Sequence, residues 1–157
     1  ILINNQQANL IETISSRCLK NNIYLIKKKQ KNIIDYFLEN KKIDNLIIDT
    51  LDLTPGVLLK YNELFSRYKI DTSENILSTI NKLLYGYKKD KDKTLIKMSI
   101  FFIDQFFYRL IKVNINKVDF LLNQKSSIVY KINDYITYNL NINSVLNSIE
   151  LKLKSVK

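Results

Sequence analysis

Two glycines and one proline are spread over 157 residues. Strands joined by tight turns need glycine at left-handed positions and proline at turn corners, so a chain this poor in both folds mainly as long helices joined by polar loops. Apolar residues make up 46% of the chain and charged residues 25%, which is enough for a packed core and too apolar for disorder. The length fits one ordinary domain or two small ones.

The absent residue types remove whole classes of chemistry. With no histidine, a Ser-His-Asp or Cys-His catalytic arrangement and histidine metal sites are excluded. Cys18 is the single cysteine, so neither an internal disulfide nor a cysteine zinc cluster can form. The glycines precede Val57 and Tyr87, so no G-x-x-x-x-G-K-[ST] phosphate loop exists in the chain. Carboxylates such as Asp49 and Asp52 lack a surrounding constellation and read as solvated helix-end charges. The most apolar run, Ser99–Leu110, is interrupted by Asp104, Gln105 and Arg109 and is too short for a bilayer, so no membrane partner is expected. A reducing cytoplasm is the expected setting.

A net charge of +10 permits contact with nucleic acid. Of the 25 basic residues only Arg17, Arg67 and Arg109 are arginine, and the chain is rich in Ile, Asn and Lys, the imprint of an AT-rich genome. Scattered lysines on solvated helix faces are the simpler reading, because specific phosphate recognition favours arginine forks.

Along the chain, Ile1–Ile3 reads as the tail of a buried parallel strand and Asn22–Ile26 as a second short strand. The start inside an apolar run, without Met, leads to the expectation of a longer protein with more sheet upstream. From Lys29 the period becomes helical, with Ile33, Ile34, Phe37 and Leu38 apolar and Asn40 closing the segment. Ile43–Leu51 forms a second short helix. Thr54 caps a third, with Pro55 at its first position, running to about Arg67. Asp71-Thr72-Ser73-Glu74 opens the next, which ends near Gly86 as a C-cap, and Tyr87–Lys93 is a charged loop.

Three more helices complete the chain. Thr94–Lys112 is apolar on nearly every side, which predicts burial inside a bundle or under a neighbouring subunit. Lys117–Leu140 presents Leu122, Val129, Ile132, Ile136 and Leu140 inward, and about Asn143–Lys154 presents Val145, Leu146, Ile149 and Leu153. Tyr130, Tyr135 and Tyr138 read as core edge or interface rather than a base-stacking platform.

Three strings carry a resemblance. ILINNQQANLIETISSRC reads as a strand followed by a Thr13-Ile14-Ser15-Ser16-Arg17-Cys18 turn. Leu53-Thr54-Pro55-Gly56-Val57-Leu58-Leu59 is similar to a G-S-P-G-x-x-L helix start. Tyr138-Asn139-Leu140-Asn141-Ile142-Asn143, followed by Leu146 and Ile149-Glu150, is similar to an N-x-N…LE entry to a last helix. Together they resemble the delta-prime family of bacterial clamp-loader subunits, in the AAA+ superfamily, as a C-terminal fragment. The resemblance implies a mainly α chain in three parts. Residues 1–26 would be the end of an α/β ATPase domain, 27–67 a three-helix lid, and 68–157 an all-α helical-bundle collar for oligomerisation.

The resemblance also implies the site. Arg17 would be an arginine finger reaching in trans into the ATP site of an adjacent gamma/tau subunit. Asn5 (or Asn4) falls at the sensor-1 position, and Thr13, Ser16 and Cys18 support the motif. ATP and Mg would be held by that neighbour and no cofactor by this fragment. The implied partners are gamma/tau and delta subunits in a pentameric ring, with the sliding clamp and primer-template DNA met through the assembled DNA polymerase III holoenzyme, a DNA-directed DNA polymerase (nucleotidyltransferase). A planar, permanently charged guanidinium suits developing phosphate charge, and such fingers accelerate hydrolysis by roughly 10³–10⁵-fold. The stretch Pro55-Gly56-Val57 lacks the arginine that gamma/tau subunits carry within G-S-x-R-D. Two other readings stand beside this one: a gamma/tau-type ATPase subunit, and a basic helical DNA-binding or interaction domain with Arg17 structural.

Overall fold

A computed structural model describes residues 11–17, 19, 26–40, 53–71 and 74–156. Of these, 83% are helical and none lies in a strand, which makes the described chain all-α. The expected strands at 1–3 and 22–25, the expected helix over 43–51 and the carboxylates Asp49 and Asp52 lie outside the described residues. Ile26, placed in a strand by the sequence, is instead the extended residue that precedes a helix.

The helices are α1 (Glu12–Ser15), α2 (Lys27–Glu39), α3 (Pro55–Tyr68), α4 (Ile76–Asp90), α5 (Lys93–Val113), α6 (Val118–Tyr138) and α7 (Ile142–Lys154). A single 3₁₀ turn, Ile115–Lys117, links α5 to α6. The helical run in α2 begins at Lys27, two residues before the expected Lys29, and takes in the basic run. Asn40 closes it as expected, with both its backbone N–H and its side-chain amide donating to the Tyr36 carbonyl.

Local chemistry fixes the other starts. Pro55 takes the first turn of α3, where its missing N–H costs nothing, and Thr54 precedes it without a side-chain cap bond. The start of α4 is corrected from 71–74 to Ile76, because Asn75 caps it through Oδ1 to the Leu77 N–H. Asp92 caps α5 through the Thr94 N–H at 2.8 Å, and Asn141 caps α7 through the Asn143 N–H at 2.9 Å.

The end of α4 is a second correction. Gly86 lies inside the helix rather than capping it, and residues 87–90, expected in a loop, are helical. The Tyr68 ring lies against Gly86 so closely that a Cβ there would come within 2.7 Å of Tyr68 Cε1. The helix instead ends at Lys91, in the left-handed conformation at φ 55°.

The core has two sides, and the α4–α5 hairpin serves both. On one side Tyr61, Leu64 and Phe65 of α3 pack with Ile70, Leu83, Leu95 and Met98. On the other, Ile80, Leu84, Ile96, Ile103 and Phe107 pack against Leu121, Ile128, Ile132 and Tyr135 of α6 and Ile142, Val145, Ile149 and Leu153 of α7. This explains why α5 is apolar nearly all round. It is the middle helix of its own chain, with Tyr61 on Phe101 (5.7 Å between ring centroids) and Phe65 edge-on to Phe102 (5.6 Å) covering its second face.

The inward face of α6 is corrected in part. Ile132 is buried and Val129 and Ile136 pack against the core as expected, but Leu122 and Leu140 are exposed, at 41% and 40%, and Leu121, Ile128 and Tyr135 are buried in their stead. The tyrosine series divides accordingly: Tyr135 is core, whereas Tyr130 and Tyr138 project outward. Among the described residues no helix is long and apolar enough to cross a membrane.

Candidate functional site

The stretch around Arg17 is a single helical turn and its exit. The Ser16 N–H donates to the Glu12 carbonyl at 2.9 Å, and the Arg17 N–H donates to the Ile14 carbonyl at 3.2 Å. The Ser16 hydroxyl donates to the Thr13 carbonyl at 3.2 Å. Ser16 therefore clasps the turn, and Thr13 takes part through its backbone rather than its hydroxyl. Arg17 is exposed beyond this clasp, and no ion pair of its guanidinium occurs among the described residues. Arg67 differs, since it pairs with Glu63 at 2.9 Å along α3. The apolar residues flanking the turn are open too, Ile11 at 68% and Leu19 at 90% exposed. Asn5 and Cys18 lie outside the described residues.

The Asn-rich string before α7 turns out to consist of joints. Asn139 takes the left-handed position that ends α6, at φ 50°. Asn141 is the cap of α7, and the Asn143 side chain accepts a hydrogen bond from the Tyr85 hydroxyl at 2.7 Å, tying α4 to the first turn of α7. Asparagine suits the first two positions because its short amide bonds to nearby backbone and tolerates left-handed geometry.

The groups whose titration is displaced serve structure. Hydrogen bonds from Lys82 and Ser78 hold the Glu74 carboxyl below its ordinary range, and Lys82 also donates to the Lys69 carbonyl, bracing the α3–α4 connection. The Thr94 hydroxyl and N–H do the same for Asp92. The Tyr68 hydroxyl is raised, chiefly by its hydrogen bond to Asp90. Burial raises Tyr61 and, with Tyr87 and Tyr85 nearby, Tyr135. The contact between Tyr68, Gly86 and Asp90 escapes sequence reasoning, since no local spacing signals it.

The positive charge is dispersed and partly occupied. Lys125 pairs with Asp104 and Lys154 with Glu150, at 2.9 and 2.7 Å. Lys112 sits over the Tyr108 ring, 4.4 Å from its centroid. The densest basic run is Lys27, Lys28, Lys29 and Lys31, all exposed on α2, whose first turn has no acid to complement its N-terminal dipole. Among the described residues no group of three or more His, Cys, Asp or Glu could hold a metal ion. No family model, curated protein or solved structure matches the chain.

Proposed function

We propose that this chain is a clamp-loader subunit of the delta-prime type, a stator that holds no nucleotide in this part and donates Arg17 to the ATP and Mg site of a neighbouring gamma/tau subunit. The observation that carries the reading is the Arg17 turn: clasped by Ser16, exposed, and with no carboxylate partner among the described residues. A guanidinium committed to its own chain would be neutralised, as Arg67 is by Glu63; one meant for phosphate has to remain accessible. In this reading residues 1–26 close an AAA+ domain, 27–67 belong to the lid, and 68–157 form the collar of the ring with gamma/tau and delta. The ring then loads the sliding clamp onto primed DNA in the cytoplasm.

The test is hydrolysis in a reconstituted loader. Arg17→Ala should leave the ring assembled while DNA-stimulated ATP hydrolysis and clamp loading drop tenfold or more, consistent with the usual worth of a finger. Arg17→Lys keeps the charge but not the fork, and should recover only part of the rate. Hydrolysis unchanged in both variants would remove the finger.

A second reading rests on the exposed lysines of α2. If Lys28, Lys29 and Lys31 dock on phosphates, the chain alone binds duplex DNA and its affinity falls steeply with salt, each phosphate contact adding roughly 0.9 to the logarithmic slope. Filter binding across a salt series separates this from the stator reading, which requires no binding by the isolated chain.

A further inference from the structure

The outward face of α6 is unlike the rest of this basic chain. Three aromatic residues stand on it, with Phe120 42%, Tyr130 68% and Tyr138 70% exposed. Between them the helical period brings Asn123, Ser126, Asn133 and Thr137 to the same side, all four exposed. No lysine or arginine lies on that arc. The two lysines of α6, Lys125 and Lys131, are half-buried at its flanks, and Lys125 is paired with Asp104. Aromatic enrichment with depletion of lysine is the composition of an interface centre.

The pattern also reads the same in both directions. A two-fold axis crossing α6 runs the helix of the copy antiparallel and keeps each flank on its own side. With that axis beside Tyr130, Phe120 meets Tyr138 of the copy, Asn123 meets its Thr137, and Ser126 meets its Asn133. Every pair matches in kind: aromatic with aromatic, and a hydroxyl with an amide. Tyr130 meets itself at the centre. The acids on this arc do not collide, because Asp134 stands four positions from the centre, about 12 Å along the axis from its own copy at 1.5 Å per residue.

We infer that this face binds a second copy of the same chain, α6 against α6 in antiparallel register about Tyr130. Charge limits rather than drives the contact: each copy carries +10, the arc itself bears no base, and Lys131, one position past the centre, lies on its flank about 3 Å along the axis from its own copy. The contact rests on one helix of each copy over about 27 Å, where a standard interface takes roughly 20–30 residues a side, so the dimer is weak. It tightens as salt rises, because screening removes the repulsion between the two basic bodies. The inference is independent of the clamp-loader reading.

Cross-linking the whole chain tests it. On a Cys18→Ser background, Tyr130→Cys should oxidise to a disulfide-linked dimer much faster than a Tyr108→Cys control, which is also exposed but lies on α5. Phe120→Cys mixed with Tyr138→Cys should join through a short bis-maleimide more than either variant joins to itself. Tyr130→Glu places two carboxylates at the centre and should weaken self-association at least tenfold in sedimentation equilibrium, with helicity unchanged. The proposal is overturned if Tyr130→Cys reacts no faster than the control, if Phe120→Cys prefers itself, or if the chain stays monomeric at several hundred micromolar in high salt.

Discussion

One methyl group at position 86 sets two effects of opposite sign against each other. Alanine in a helix interior is about 1 kcal/mol better than glycine. Here its Cβ would fall 2.7 Å from Tyr68 Cε1, so the ring has to leave, losing its packing and its hydrogen bond to Asp90. Overpacking of this kind costs about 1–3 kcal/mol. Gly86→Ala should therefore lose about 1 kcal/mol net, while the same change on a Tyr68→Ala background should gain about 1 kcal/mol, the propensity term alone. Urea unfolding of the four proteins checks the inversion, and a gain in both backgrounds would show that the ring swings away freely. Glycine at the end of an apolar stripe reads as a stop, because that is its commonest place near a helix end. What decides the matter is Tyr68, brought over from α3, and a contact across two helices leaves no trace in local spacing.

At the scale of elements, α6 shows how a doubled apolar residue hides a face. Leu121 and Leu122 are adjacent, each continues into an apolar stripe, and periodicity alone cannot choose between them. In the fold Leu121 is 2% exposed among the core residues of α4, α5 and α7, and Leu122 faces outward. Leu121→Ala should cost about 2–5 kcal/mol and Leu122→Ala less than about 1 kcal/mol. Equal losses in thermal unfolding would return the inner face to the stripe through Leu122. Other elements were easier to foresee. Pro55 marks the start of α3 by chemistry alone, and the stripe of Val145, Ile149 and Leu153 in α7 is buried as its spacing predicts. The unbroken apolarity of α5 signals burial but not what covers it, and the covering residues Tyr61 and Phe65 come from another helix.

For the whole molecule, the legible part is the helical class. The scarcity of glycine and proline predicts it, and the described residues are helical bundle and linkers throughout. The candidate site is legible only as the Arg17 turn, since its proposed substrate belongs to a neighbour. Both glycines lie inside helices, Gly56 in α3 and Gly86 in α4. Among the described residues the left-handed positions, where glycine would be at ease, are held by Lys69, Lys91 and Asn139. For lysine that conformation costs on the order of 1–2 kcal/mol. At Lys69 and Lys91 the reversal is accordingly imposed by the docking of the helices on either side, whereas Asn139 takes it readily. Lys91→Gly should then slow unfolding while leaving the refolding rate unchanged in stopped-flow measurements, the signature of a site formed after the transition state. The two lysine corners are thus places where a single substitution can add stability without touching the core.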